Sequence, residues 1–250
     1  MGDTDGALQS GRSASVKLVK REWRSVRTAG LGGRLEWISE KSDTVVETQT
    51  VKTTAAGPAA VRFQPAQSGF YLLLAEAKDG SGNEVGTSTY VYVTGNDYVA
   101  WERSDDDAIE LVPDAASYRP GDTARILVKS PYEKAKALVT VEREFILKSE
   151  VVEIAGSTAE IAIPIGPEMI PNAFVSVLLI QGRTSQASPD AVEDSGKPSF
   201  KIGYVEVKVD PASKRLDLDI RPNRAEYQPG DLVEIRLKAK DAAGAGASAS

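Results

Sequence analysis

Asp105-Asp106-Asp107 is the densest run of groups in this chain that could act as acid, base or cation ligand. A working acid–base pair needs two carboxyls that converge from unequal environments. Consecutive residues of a strand or loop point in different directions, so this run reads as a solvated acidic loop. Asp79-Gly80-Ser81-Gly82-Asn83-Glu84 spaces oxygens at alternate positions, as a calcium loop does at its start, but the twelfth position, where such a loop has its bidentate glutamate, is Tyr90. The flanks, Phe70 to Lys78 and Val85 to Val93, alternate as strands and make a hairpin loop the natural expectation. Gly30-Leu31-Gly32-Gly33 lacks the helix and lysine of a phosphate loop and reads as a turn. Trp23, Trp37 and Trp101, with Tyr71, Tyr90 and Tyr92, could stack against a sugar, yet nothing places their rings in one plane. Trp37, in phase with Leu35, is expected in a core, and Trp23 and Trp101 near joins between units. Composition closes the commoner routes: the chain has no histidine and no cysteine, which removes Ser-His-Asp and Cys-His catalysis, imidazole metal sites and disulfides. No catalytic, cofactor-binding or metal-binding residue is assigned, no cofactor is expected, and the chain is not read as an enzyme.

The elements that would position any site are strands. Leu216, Leu218 and Ile220 alternate with Asp217, Asp219 and Arg221; Val233, Ile235 and Leu237 alternate with Glu234, Arg236 and Lys238; Val205, Val207 and Val209 alternate with Glu206, Lys208 and Asp210. A period of two with one wet face marks strands. No segment over ten residues combines helical spacing with caps. Tyr118-Arg119-Pro120-Gly121-Asp122 returns 109 positions later as Tyr227-Gln228-Pro229-Gly230-Asp231, each copy between two alternating apolar stretches. One module of about 110 residues therefore recurs, and arrays of copied β-modules serve more often as frames and binding surfaces than as active sites. Proline presets φ at the second turn position and glycine supplies positive φ at the third, so both copies predict type II turns between a first and a second strand. Each tyrosine can lay its ring on the adjoining sheet while its hydroxyl finds a polar partner. The expectation is an all-β chain of tandem antiparallel seven-stranded sandwiches.

Phase divides the array into residues 1–95, a unit lacking its opening strands; 96–210, a complete unit; and 211–250, the first strands of a third. Both ends fall inside units, so the chain is expected to be an interior piece of a longer array. Asp3-Thr4-Asp5-Gly6-Ala7-Leu8 resembles the turn at Asp241 to Gly244. The polar stretch from Gly182 to Pro198 is expected to be a mobile surface loop or a contact surface. Acidic residues number 36 against 30 basic, a formal charge of -6, which argues against nucleic acid or anionic membrane as partner. The longest apolar runs, Phe70 to Ala75 and Val175 to Ile180, are strand-sized and too short to cross a membrane, and the first residues carry no secretory signal.

Val112-Pro113-Asp114 followed by Tyr118-Arg119-Pro120-Gly121-Asp122-Thr123-Ala124-Arg125-Ile126-Leu127-Val128 closely resembles the macroglobulin-like domains of bacterial alpha-2-macroglobulins. The resemblance continues through Leu138 to Glu144, Phe174 to Leu179, Gly196 to Phe200, Gly203-Tyr204 and Val209 to Ala212, and upstream through Lys20 to Trp23 and Asp97 to Trp101. It implies a secreted or lipid-anchored envelope protein, periplasmic in bacteria, that inhibits proteases by entrapment. In such a protein stacked sandwiches form a hollow frame, a bait segment is cut by the attacker, and many members add a thioester built from a Cys-x-Glu-Gln motif. The implied partners are neighbouring macroglobulin-like domains of the parent chain and, through the parent, target proteases. This chain has no cysteine and so no thioester position, and the resemblance puts the bait segment in or just after the third unit, beyond Ser250. No functional residue is carried over. The alternative from another class is a tandem Ig-like adhesin or polysaccharide-binding surface module.

Overall fold

The computed structural model describes residues 10–30, 35–54, 59–95, 97–186, 194, 196–241 and 243–247. Strands carry it, and among the described residues the only helical segments are single 3-10 turns at Pro167–Met169 and Pro211–Lys214. No described helix is long and apolar enough to cross a membrane.

The first unit is one four-stranded sheet: β1 (Ser13–Ala29), β2 (Leu35–Lys52), β3 (Gly69–Lys78) and β4 (Glu84–Val93), in the order β2-β1-β3-β4 with antiparallel neighbours. Consecutive residues Leu18 and Val19 are both buried, as are Phe70 and Tyr71, because both faces of the sheet are covered at that level. Residues 59–68 cross one face: the Tyr71 hydroxyl donates to the Gln67 carbonyl at 2.8 Å, and Gln49 Nε2 donates to the Arg62 carbonyl at 2.6 Å. The other face, with Trp23, Phe70, Leu72 and Tyr92, meets the second unit.

That second unit is a sandwich. β5 (Leu111–Pro113), β6 (Thr123–Lys129) and β9 (Thr158–Pro164) form one sheet in the order β5-β6-β9. β7 (Lys134–Glu142), β8 (Ile146–Ala155), β10 (Asn172–Gln181) and β11 (Ser199–Lys208) form the other, ordered β11-β10-β7-β8. The alternation in sequence puts Ile126, Val128, Val139, Val141, Ile163, Val175, Val177, Leu179 and Val207 between the sheets, each almost fully buried. At about 1.5–3 kcal/mol for each large apolar side chain removed from water, this is the main stabilising term of the unit. The first unit repeats the connectivity of the larger sheet of this sandwich: in both, the first and third strands pair at the centre.

The third unit is a hairpin of β12 (Asp217–Pro222) and β13 (Ile235–Lys240). Its register is that of β5 and β6 moved by one repeat. Leu111 faces Val128 and Pro113 faces Ile126 in the sandwich, and Ile220 faces Leu237 and Pro222 faces Ile235 in the hairpin. In the sandwich those apolar positions are covered by the second sheet; in the hairpin Ile220, Ile235 and Leu237 are about three-fifths exposed.

Candidate functional site: turns and the joint between units

The repeated pentapeptide closes each β5–β6-type connection by local geometry. Gly121 has φ +98° and Gly230 φ +96°, the conformation that glycine alone adopts freely. The Asp122 amide donates to the Arg119 carbonyl at 3.0 Å and the Asp231 amide to the Gln228 carbonyl at 3.0 Å. Each aspartate then receives the amide of the first turn residue on its own carboxylate, Arg119 at 2.7 Å and Gln228 at 3.0 Å. Pro120 and Pro229 occupy the second turn position between these bonded ends.

Tyr118 is buried, and its hydroxyl donates to Asp114 Oδ1 at 2.8 Å while accepting the Ala115 amide at 3.0 Å. Tyr227 makes the same pair of bonds, to Asn223 and from the Arg224 amide. Burial, then the Asp114 bond, push the Tyr118 phenol up to about 12. Burial also works to raise the Asp114 carboxyl, but the Arg125 amide and the Tyr118 hydroxyl outweigh it and hold it below its usual value. Asp114 and Asn223 complete the motif four residues upstream of each tyrosine. The sequence reading missed them, although both follow the 109-residue spacing.

The joint between the first two units is built from residues 94–95 and 97–110. Trp101 is 6% exposed; its indole Nε1 donates to the Ser157 carbonyl at 2.5 Å, and the Val99 amide donates to Ser157 Oγ at 2.8 Å. Ser157 is itself buried in the β8–β9 turn, so one residue of the sandwich satisfies two groups of the linker. Phe70, Val99, Trp101 and Leu127 form a cluster between the units, with Trp23 edge-on to Phe70 at 5.4 Å and Tyr92 edge-on to Trp101 at 5.9 Å. The Lys129 ammonium lies over both Trp101 and Tyr92 and pairs with Glu110 at 2.5 Å. Burial and then Glu110 push the Tyr92 phenol well up.

The acidic run is part of this joint. Asp105 Oδ2 accepts the Trp37 amide of β2 at 3.1 Å, Asp106 Oδ1 accepts Ser104 Oγ at 2.9 Å and the Ala108 amide at 3.0 Å, and the Asp107 carbonyl accepts the Ile202 amide of β11 at 2.7 Å. The three consecutive residues thus bind a β2 amide, their own loop and β11. The Ser104 hydrogen bond, ahead of the Ala108 amide, holds the Asp106 carboxyl below its usual value. Trp37 corrects the expectation of a core residue. It is half-buried at the unit's edge, with the Arg27 guanidinium 5.1 Å and the Arg103 guanidinium 4.8 Å from its ring, because its strand overhangs the joint rather than crossing a core.

Asp79 is occupied by its own hairpin: Oδ1 accepts the Ser81 and Asn83 amides, each at 2.8 Å, and Oδ2 accepts Asn83 Nδ2 at 2.8 Å. Hydrogen bonding from Asn83, side chain first, lowers its pKa. Asp241 repeats the loop, accepting the Ala243 and Ala245 amides at 2.9 Å, with Gly244 at positive φ as Gly82 is. Among the described residues no group of three or more acidic, histidine or cysteine side chains could hold a metal ion. The body of the predicted glycine turn, Leu31 to Gly33, the Asp3 to Leu8 likeness, and residues 187–193 and 195 of the polar stretch lie outside the described residues. Where that stretch is described, Arg183 pairs with Asp194 at 2.9 Å and the Thr184 amide donates to the Gly196 carbonyl at 3.1 Å.

A family model described as the alpha-2-macroglobulin bait region domain matches residues 109–249, and one described as bacterial macroglobulin domain 6 matches residues 1–94. The alpha-2-macroglobulin homolog of a Nostoc species is 30% identical over 242 residues, covering 96% of this chain and 12% of that protein. The alpha-2-macroglobulin of Ralstonia nicotianae is 28% identical over 187 residues, covering 71% of this chain and 10% of that protein. The native conformation of Escherichia coli alpha-2-macroglobulin aligns with a TM-score of 0.34 at 21% identity, over 96% of this chain and 14% of that one. Salmonella alpha-2-macroglobulin reacted with methylamine gives 0.34 and 21%, over 94% and 14%. The chain thus spans only about a tenth of the length of the curated relatives it matches. With the bait region model covering more than half of its residues, this chain belongs to the alpha-2-macroglobulin family.

Proposed function

We propose that this chain is a non-catalytic stretch of the frame of a bacterial protease-trapping inhibitor. Residues 1–95, 96–210 and 211–250 are its successive macroglobulin-like units, and the parent works in the cell envelope. Any thioester lies elsewhere in the parent, because this chain has no cysteine to form one; the bait segment, expected beyond Ser250 from the resemblance, is not placed there by the bait region model, which matches residues 109–249. The neighbours of these units are further macroglobulin-like domains, and proteases are met through the parent.

The joint at Trp101 is the observation that carries the reading, given the family. A frame that encloses a protease has to transmit a rearrangement between units rather than absorb it in slack linkers. Here a buried indole and a buried serine lock the linker to the sandwich while an aromatic cluster fills the space between units. The test is made on the parent protein mixed with an active endopeptidase. A trap blocks digestion of a large protein substrate while hydrolysis of a small peptide continues. Loss of both activities together, or of neither, would overturn the reading.

A further inference from the structure

We propose that the outer face of the larger sandwich sheet, around Phe174, is the dock for the β12–β13 hairpin of this same chain, held by arginine–glutamate pairs. The first joint supplies the template. There Phe70 of β3 has Tyr92 facing it on β4 and Arg21 facing it on β1, and Leu127 and Val112, on the face of β5–β6 turned away from the sandwich core, pack against it. Lys129, next along that face, lies over Tyr92 and pairs with Glu110.

The larger sandwich sheet has the same connectivity and repeats the arrangement with a change of charge. Phe174 alternates with the core residues Ala173 and Val175, so it points outward, and it is 45% exposed. Glu206 faces it on β11 and Glu142 faces it on β7. Tyr204 stands two residues before Glu206, as Tyr90 stands two before Tyr92. Glu206 accepts from Asn172 Nδ2 at 2.7 Å and Glu142 accepts from the Thr140 hydroxyl, both neutral donors, so the spot around the ring keeps its negative charge.

The segment that covers this face by repetition lies within the described residues. One repeat of 109 positions carries Val112 to Arg221, Leu127 to Arg236, Glu110 to Asp219 and Lys129 to Lys238. The register carries over too: Arg221 faces Arg236 as Val112 faces Leu127, and Asp219 faces Lys238. Like charges directly opposite weaken a hairpin, and Asp219, 3.0 Å from Arg221, offsets one of the two. Two arginines thus stand where the first joint has valine and leucine, and two glutamates flank the phenylalanine they would meet. A guanidinium over the Phe174 ring and a glutamate for each arginine satisfy both spots. Residues 209–216 join β11 to β12 with up to about 26 Å of chain, and Glu206 lies at that end of β11, so the hairpin reaches. A lone exposed pair contributes little, but pairs that converge on a stacked ring form a network, and one that salt weakens. This docking follows from the repeat and stands apart from the protease-trapping role.

Cysteine pairs report the docking, because the chain has no thiol of its own. Tyr204→Cys with Lys238→Cys should be joined by a short bifunctional thiol reagent several-fold faster than Val151→Cys with Lys238→Cys, since Val151 lies on the same face three strands away. Rising salt should erase the difference. Glu142→Lys with Glu206→Lys should erase it at low salt, and adding Arg221→Glu and Arg236→Glu should bring it back; that restoration separates docking from a loss of folding. Equal rates for the two pairs at low salt, a difference indifferent to salt, or a reciprocal swap that fails to restore it would each overturn the docking.

Discussion

Gly121 has no atom within 4 Å of where a Cβ would stand, so any side chain there is opposed by its φ of +98° alone. A β-branched residue tolerates that conformation least, and Gly121→Val is expected to destabilise the sandwich by about 1–3 kcal/mol. Calorimetric unfolding measures it, and an unchanged transition would remove the role assigned to the turn. Gly203 is the opposite case: its φ is ordinary, but a Cβ would stand 2.6 Å from the Ile109 carbonyl oxygen and 2.9 Å from Leu111 Cγ, where the linker crosses β11. Gly203→Ala is expected to cost about 1–3 kcal/mol through overpacking, read in the same experiment. Tyr118 and Asp114 give the sandwich a pH signature. The phenol is raised to about 12, so its neutral form is favoured by the fold; that contribution is complete below the ordinary tyrosine range and is lost as pH climbs toward 12. The Asp114 carboxyl is lowered, so its contribution is present above the usual carboxylate range and is lost as pH falls through the lowered value. Thermal midpoints against pH should fall at both limits, and Tyr118→Phe should flatten the alkaline limb; an alkaline limb unchanged in that variant would contradict the assignment. The tyrosine, proline, glycine and aspartate were legible in sequence because a turn is a local object. Asp114 and Asn223 are equally local, and extending the repeat four residues upstream would have found them.

At the scale of elements, the strands were readable from period-two alternation, and Phe70 to Ala75 and Val175 to Ile180 fall inside β3 and β10. The joint was only partly readable. Trp101 could be placed near a boundary by its position, but its partner Ser157 lies 56 residues away, and nothing local to either residue announces the other. Trp37 was misplaced for a related reason: alternation tells which side of a strand a residue faces, not whether another layer covers that side. Trp101→Phe keeps an aromatic ring but gives up the indole bond, an expected loss of about 1–3 kcal/mol, whereas Trp101→Ala should lose about 3–5 kcal/mol. The sign that the joint itself has opened, rather than the sandwich alone, is new protease cleavage between residues 94 and 110; Trp101→Ala without it would make Trp101 a local packing residue. The second joint is built differently. Pro211–Lys214 is an exposed 3-10 turn capped by Asp210, whose carboxylate accepts the Ala212 amide at 2.9 Å, and Arg119 approaches Asp210 only at 3.7 Å in solvent. An exposed pair of that kind contributes little. Limited proteolysis of the unmodified chain should therefore cut at 211–216 before 94–110, and the reverse order would contradict the contrast between the joints.

For the whole molecule, repetition explains more than composition does. The strands share one β-plan: the first sheet has the connectivity of the larger sheet of the sandwich, and the hairpin repeats the register of β5 and β6. Polar side chains that might have supported chemistry are instead committed to structure, Asp79 to its hairpin, Asp114 to Tyr118, and Asp105 and Asp106 to the joint. A frame that holds other parts in place is the role such a molecule suits, and membership of the alpha-2-macroglobulin family gives that frame its proposed task. The most direct test mixes the 250-residue chain with an active endopeptidase and follows digestion of a large protein and of a small peptide side by side. The account predicts that the chain slows neither reaction and cleaves neither substrate by itself; stoichiometric protection of the large substrate with the small one still cut, or intrinsic hydrolysis, would contradict it.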